Sequence, residues 1–243
     1  MEVVGVIPAR LKSRRLPYKL LLPLLGKPLI QWTWENAKKA NLLDKLIIAC
    51  DDERIKEVAE GFGAEVVLTS FRHTSGTDRI AEAVREMEVR FVVNIQADEP
   101  LIHPSLIDSL IETMKDGDSL VMATAKKKIS DPSEIEDPNV VKVVTDRNDF
   151  ALYFSRSPIP YSENKEVIYY KHIGVYIYTK DFLYTFKNLG PSYLERTERL
   201  EQLRVIEAGY KIKVITTSFE SHGVDTEKDL AKVEEILKEN VGI

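Results

Sequence analysis

The stretch Val3-Val4-Gly5-Val6-Ile7-Pro8-Ala9-Arg10-Leu11-Lys12-Ser13-Arg14-Arg15-Leu16-Pro17-Tyr18-Lys19 decides the fold and points to the chemistry. Residues 3–7 form a near-continuous apolar run, the pattern of a strand covered on both faces of a parallel sheet. Residues 10–19 then hold five cations, although the chain carries a net charge of −5. Working outward, Pro28 stands at a helix start, and residues 29–40 carry apolar side chains at helical spacing. Residues 46–50 read as a strand, 52–60 as a helix ending near Gly61 and Gly63, and 66–68 as a third strand. Residues 77–87 (helix), 91–95 (strand), 105–114 (helix) and 120–125 (strand) continue the alternation. Strands separated by single helices predict right-handed βαβ crossovers, hence an α/β three-layer sandwich with a mostly parallel, Rossmann-like sheet.

The pattern changes after Ile129. Residues 131–139 read as a surface connection, 140–144, 152–154 and 173–178 as strands, and 156–164 as a proline-containing loop. Residues 193–208 read as one amphipathic helix, followed by a strand at 212–215 and a helix at 226–238. We therefore expect a single domain over 1–243, with residues 130–192 as a smaller β-rich insertion. Lys126, Lys127 and Lys128 read as a solvated strand end.

Hydrophobic residues at 44% and charged residues at 30% describe a soluble globular chain and exclude disorder. The 39 anions against 34 cations argue against a nucleic-acid binder. The one cysteine, Cys50, excludes a disulfide framework and a four-cysteine zinc site. No apolar stretch is long enough to cross a membrane, and residues 3–7 lack the flank of a signal peptide. The expectation is a cytoplasmic protein with no nucleic-acid or membrane partner.

Ligands of open α/β sheets bind at the carboxyl ends of the strands, which singles out four segments. The basic loop 10–19 contains neither G-x-G-x-x-G nor a P-loop, yet guanidinium forks and an ammonium suit a polyphosphate. Gln96-Ala97-Asp98-Glu99-Pro100 follows a strand, where Asp98 serves equally as a ligand for a hard cation or as a helix cap. Ser221-His222-Gly223-Val224-Asp225-Thr226 precedes the last helix, and Asp225 or Thr226 read alone is an N-cap. His73-Thr74-Ser75-Gly76-Thr77-Asp78-Arg79 opens a helix whose first amides are available to a ligand. Two carboxylates at two strand ends and cations at a third are what nucleotidyl transfer needs, because charge builds on phosphoryl oxygens.

Together these segments resemble the 3-deoxy-manno-octulosonate (Kdo) cytidylyltransferase family, the CMP-Kdo synthetases. The resemblance runs from Val3 to about Leu230. It rests on Ile7-Pro8-Ala9-Arg10, Arg15-Leu16-Pro17 with Lys19, His73-x-Ser75-Gly76-Thr77-x-Arg79 and Gln96-x-Asp98-Glu99-Pro100. Pro138-Asn139-x-Val141-Lys142-Val143-Val144, Ala151-Leu152-Tyr153-Phe154-Ser155-Arg156 and His172-x-Gly174-x-Tyr176 extend it. Leu200-Glu201-Gln202-Leu203-Arg204 and Gly223-Val224-Asp225-Thr226 complete it.

The resemblance implies a nucleotidyltransferase fold and a Mg²⁺-dependent reaction of CTP with Kdo, giving CMP-Kdo and pyrophosphate for lipopolysaccharide synthesis. It implies a homodimer, with residues 155–170 as our expected interface. It implies that Arg10, Arg15 and Lys19 bind the triphosphate beside Pro8 and Ala9. Ser75, Gly76, Thr77 and Arg79 would line the cytidine side, with Gln96 and Asp98 completing the CTP site. Asp98 and Asp225 would ligate Mg²⁺. Gln96, Arg156, His172, Tyr176, Glu201 and Gln202 would meet the sugar. Three positions depart from the family pattern: Tyr18 and Ala97 stand where glycine is common, and Lys171 where arginine is frequent.

Other readings stay open on the residues alone. One is a cytidylyltransferase for another acid sugar, such as a sialic acid. Sugar-1-phosphate nucleotidyltransferases usually have a glycine-rich first loop, and residues 9–18 contain no glycine. Glycosyltransferases that use sugar nucleotides typically carry Asp-x-Asp, which Ala97-Asp98-Glu99 does not supply. A non-catalytic binding module is the remaining class. No residue stands out as a general base.

Overall fold

A computed structural model describes residues 1–13, 15–117, 119–163 and 167–241. Arg14 of the basic loop and Asn164, the end of the proline-containing loop, lie outside the described residues. In chain order the elements are β1 (Val3–Ala9), a 3-10 turn (Lys19–Leu21), β2 (Pro23–Leu24), β3 (Lys27–Pro28), α1 (Leu29–Ala37) and β4 (Lys45–Cys50). Next come α2 (Glu53–Gly61), β5 (Glu65–Leu68), α3 (Gly76–Ala83), β6 (Phe91–Asn94), α4 (Pro104–Asp116) and β7 (Met122–Lys128). The chain continues with α5 (Ser133–Glu136), β8 (Lys142–Thr145), β9 (Ala151–Ser155), β10 (Tyr170–Thr179) and α6 (Lys180–Asn188). It ends with α7 (Tyr193–Glu198), α8 (Leu203–Glu207), β11 (Lys213–Thr216) and α9 (Glu227–Val241). These elements fall into two compact units, Met1–Asp108 with Glu220–Ile243, and Ser109–Phe219.

In the first unit β6, β1, β4 and β5 pair in that order, every pair parallel. Val4, Val6, Ile7, Ile47, Ile48, Val92 and Val93 are wholly buried, as continuous apolar strands require. Each such side chain contributes about 1.5–3 kcal/mol on removal from water. Asp52 caps α2 by accepting the Arg54 amide, and Ser75 caps α3 by accepting the Asp78 amide. The alternation of strands and helices therefore stands as expected, with ends moved by a few residues. A short hairpin was not anticipated: β2 and β3 pair around Leu25 and Gly26, whose φ angles of 49° and 78° make a turn of the primed class.

In the second unit β7 lies between β11, which is parallel to it, and β10, which is antiparallel. The β8–β9 pair is antiparallel and meets β10 at Lys142 opposite Lys171. Three expectations are corrected here. The helix expected over 193–208 is two, α7 and α8, interrupted at Arg199 with φ 56°. Neither Gly nor Pro marks that break, which tertiary contacts of Glu198 hold in place: its carboxylate accepts from Ser155 Oγ and the Arg156 amide. Helix α6 was not among the expected elements; Thr179 caps it, and Phe182, Leu183 and Phe186 are buried. Lys126 is no solvated strand end: it is buried, donating to Thr145 Oγ1 at 2.6 Å and Asp149 Oδ1 at 2.9 Å.

Lys142 is the most demanding group in this unit. It is fully buried, and its ammonium donates to three backbone carbonyls, those of Asp137 (2.9 Å), Val140 (2.6 Å) and Arg156 (2.7 Å). Burial pushes its pKa below the ordinary lysine value. The three bonds join the connection before β8 to the loop after β9. Replacing Lys142 with Met keeps the volume and takes the ammonium from three carbonyls, of which, among the described residues, only that of Asp137 keeps another donor, the Val140 amide. We expect Lys142→Met to lose at least about 3 kcal/mol in urea unfolding. A loss below about 1 kcal/mol would show that the ammonium is dispensable.

Candidate active site

Two loops at strand carboxyl ends and one before α9 converge in the first unit. After β1 the chain buries Leu11 and Leu16, leaves Arg10 and Arg15 exposed, and turns inward at Lys19. The turn passes through Tyr18 at φ 55°, ψ 25°. That left-handed conformation costs roughly 1–2 kcal/mol for an ordinary residue and nothing for glycine. The Tyr18 ring lies exposed against the Arg54 guanidinium, 5.6 Å away, which Asp52 grips through Nε and Nη2.

Lys19 Nζ donates to Asp98 Oδ2 at 2.6 Å and to Asp225 Oδ1 at 3.0 Å. Arg15 Nη2 donates to the other oxygen, Asp225 Oδ2, at 2.6 Å. Asp98 and Asp225, 127 positions apart in the chain, thus face one buried ammonium. Burial alone would lower the Lys19 pKa; the two carboxylates outweigh it and raise the value above the ordinary one.

The two aspartates offer hard oxygen donors around a point already filled by a cation, which suits Mg²⁺. Among the described residues no group of three or more His, Cys, Asp or Glu could hold a metal. A carboxylate pair is what Mg²⁺ commonly takes from protein when phosphate oxygens and water complete its shell. Beside Asp98, the Glu99 carboxyl accepts from Ser221 Oγ at 2.7 Å, and burial, with Asp98 and Asp225 adding to it, pushes its pKa up to about 7.

The other nucleotide-side residues divide by orientation. Pro8 and Ala9 end β1, and Gly76 lets α3 approach: a Cβ there would lie 3.4 Å from Pro8 Cγ. Ser75 is half-buried at its cap, and Gln96 donates to Asn94 Oδ1 at 3.3 Å. Thr77 and Arg79 are buried. The Arg79 guanidinium is held by Thr69 Oγ1 (2.6 Å) and Asp51 Oδ2 (3.1 Å), and Asp51 Oδ1 accepts the Leu11 amide at 2.9 Å. Arg79 therefore braces the start of the basic loop through Asp51. Sequence reasoning passed over Asp51, although it follows β4 and the carboxyl-end rule reaches it. Asp229 was also passed over as more than a dipole partner; it accepts the amides of Asp225 (3.1 Å) and Thr226 (2.8 Å).

In the second unit His172 and Tyr176 lie next to each other on β10, ring centroids 5.3 Å apart, where the register shifts between Ile173 and Tyr176. Phe154 meets His172 edge-on at 5.0 Å. Thr124 Oγ1 lies 2.7 Å from the Val175 carbonyl, 3.2 Å from that of Ile173 and 2.9 Å from His172 Nε2. Arg156 Nε and Nη1 donate to the carbonyls of Glu198 (2.8 Å) and Pro138 (2.7 Å), and it pairs with no carboxylate side chain among the described residues. Glu201 and Gln202 lie in the break between α7 and α8, Gln202 buried and Glu201 half-buried. Lys171, at a position where the family favours arginine, reaches both oxygens of Glu134, at 2.7 and 2.9 Å.

Burial pushes the His172 pKa down to about 3. The unfolded chain then binds a proton that the native state refuses, so stability is full above about pH 6.5 and falls as pH drops towards 3. Between about pH 7.5 and 5 the wild type should lose about 2 kcal/mol more than His172→Gln in urea unfolding. Parallel pH profiles for the two proteins would refute this.

Comparison with known proteins identifies the family. The cytidylyltransferase family profile matches residues 4–212. The 3-deoxy-manno-octulosonate cytidylyltransferase of Chloroherpeton thalassium is 52% identical over 98% of this chain and 98% of its own length. That of Fusobacterium nucleatum is 49% identical over 99% of this chain and 98% of its own. A solved CMP:2-keto-3-deoxy-manno-octonic acid synthetase in complex with CTP is 39% identical and superposes with a TM-score of 0.94, over 99% of this chain and 100% of that one. With its α/β nucleotidyltransferase fold and this degree of identity across nearly its whole length, the chain belongs to the 3-deoxy-manno-octulosonate cytidylyltransferase family.

Proposed function

We propose that this protein transfers CMP from CTP to the anomeric hydroxyl of Kdo, releasing pyrophosphate, and so supplies an activated sugar for lipopolysaccharide synthesis in the cytoplasm. The observation that carries the reading is the shared ammonium: Lys19 between Asp98 and Asp225, with Arg15 on the far oxygen of Asp225. That arrangement gathers positive charge for a triphosphate and paired carboxylates for a divalent ion.

Asp98 and Asp225 would hold Mg²⁺. When bound, the ion supplies charge withdrawal from the phosphoryl oxygens and the attacking hydroxyl. Arg10, Arg15 and Lys19 bind the triphosphate, and Lys19 and Arg15 exchange their aspartate partners for pyrophosphate oxygens as the leaving group gains charge. Pro8 and Ala9 form the wall under the phosphates. The start of α3, at Ser75 and Gly76, receives the cytidine, and Thr77 and Arg79 hold that segment in place from inside. Gln96, Arg156, His172, Tyr176, Glu201 and Gln202 orient Kdo. His172, neutral at physiological pH, acts as a hydrogen-bonding and packing group. The attack is in line at the α-phosphorus, and no covalent enzyme intermediate is required.

The same reading makes the chain a homodimer that pairs through the β-rich segment 130–192. Tyr161 and Ile168, 85% and 51% exposed, support that surface. No described helix is long and apolar enough to cross a membrane.

Pyrophosphate release from CTP, measured with a panel of sugar acids that includes Kdo and a sialic acid, tests the assignment. Kdo should give the highest kcat/KM, and Asp98→Asn should lower it at least about 100-fold. Wild-type turnover by Asp98→Asn at saturating Mg²⁺, or a preference for the sialic acid, would overturn the reading.

A further inference from the structure

Glu99 is a carboxylate of the site that forms no ion pair among the described residues. It follows Asp98 directly, yet its side chain turns away from Lys19 towards the segment before α9. There its Oε2 accepts from Ser221 Oγ at 2.7 Å, and the His222 amide also donates to the carboxyl. Gly223 is packed against it: a Cβ at that position would lie 3.1 Å from Glu99 Oε1. One residue further, the Val224 amide donates to the Asp98 carbonyl at 2.9 Å, and the Val224 side chain is wholly buried. Four consecutive residues, 221–224, are thus fixed on the Asp98-Glu99 dipeptide, and the fifth is Asp225.

We propose that Glu99 is a positioning residue whose carboxyl clasps the Ser221 hydroxyl and the His222 amide and so sets the separation of Asp98 and Asp225. The inference rests on the reading of those aspartates as the metal ligands. Two oxygens that must meet one small ion tolerate little error, because Mg²⁺ demands near-ideal octahedral geometry. Asp225 lies in a loop, and its backbone amide is held from the other side by Asp229. Without Glu99, the Ser221 hydroxyl and the His222 amide lose that acceptor, and the 221–225 segment stays joined to the Asp98 loop by the Val224–Asp98 backbone bond and by the Lys19 ammonium between the two aspartates. The absence of a side chain at Gly223 belongs to the same device, since it leaves room for the carboxyl.

The test is Mn²⁺ binding in the presence of CTP, read by electron paramagnetic resonance, with thermal unfolding recorded in parallel. Glu99→Ala should weaken Mn²⁺ at least about 10-fold, the scale of groups that orient metal ligands. The Mg²⁺ concentration for half-maximal turnover should rise by a similar factor, while kcat at saturating Mg²⁺ falls far less. Glu99→Gln, which keeps one oxygen acceptor, should land between Glu99→Ala and the wild type. Ser221→Ala, which removes one of the clasped groups, should move in the same direction by a smaller factor. A Glu99→Ala protein with lower thermal stability but wild-type Mn²⁺ affinity would overturn the clasp and leave the metal reading standing. A wild type that binds no Mn²⁺ with CTP would overturn both.

Discussion

A single ammonium, that of Lys19, sits nearly out of water between two carboxylates, with only 9% of its side chain exposed. An unpaired charge in that position would cost several kcal/mol, so the segment is stable only with Asp98 and Asp225 in place. The reverse also holds, because two aspartates this close repel each other unless a cation lies between them. Each partner therefore dictates where the other loops can run. Leu16 and Leu20 anchor the chain on either side of the inward turn, and Tyr18 accepts a left-handed backbone to make it. The family habit of glycine at that position has its physical reason here: the turn itself is left-handed. This chain meets the same requirement with tyrosine, whose ring gains the Arg54 contact in partial compensation.

The loops around that ammonium are held by carboxylates that accept backbone amides. Asp51 takes the Leu11 amide, Asp229 takes those of Asp225 and Thr226, and Glu99 takes the His222 amide together with the Ser221 hydroxyl. Such bonds to charged acceptors are stronger than neutral ones. They supply order where no ladder of regular structure exists. The second unit uses the same logic with the sign inverted. There Lys142 and Arg156 donate to carbonyls, which fixes the segments that flank β8 and β9.

How much of this was legible in the sequence depended on how locally each feature is determined. The parallel strands were plain, since residues buried on both faces must be mostly apolar, as in Val3 to Ile7 and Phe91 to Val93. The pair Asp98 and Asp225 was legible because strand ends in such sheets collect ligand groups, and the family resemblance then fixed which residues to choose. The break at Arg199 was not legible, because it depends on Glu198 meeting Ser155 and Arg156, more than forty positions away. Lys126 was misjudged for the same reason: a lysine triplet looks solvated until Thr145 and Asp149 fold against its first member. Arg79 looked like a nucleotide ligand from its motif. Its helix turns it inward, where Asp51 gives a guanidinium a better-defined partner than solvent does.

The resting arrangement also bears on how a strongly acidic ligand enters a chain whose net charge is already −5. Arg15 and Lys19 spend their charge on Asp225 and Asp98, so the neighbourhood is close to neutral before any nucleotide arrives. In the proposed reaction a triphosphate and a divalent ion arrive together. Asp98 and Asp225 would hold the ion, and Arg15 and Lys19 would then donate to phosphate oxygens instead. Nothing in the exchange requires either cation to be buried unpaired at any stage, which is the costliest state open to them. The weakest bond in the set belongs to the most exposed partners: Arg15 and Asp225, with about half of each side chain in water, lose least on separating. Entry should therefore begin at Arg15 and finish at Lys19, with the exposed pair opening first and the buried ammonium changing partners last.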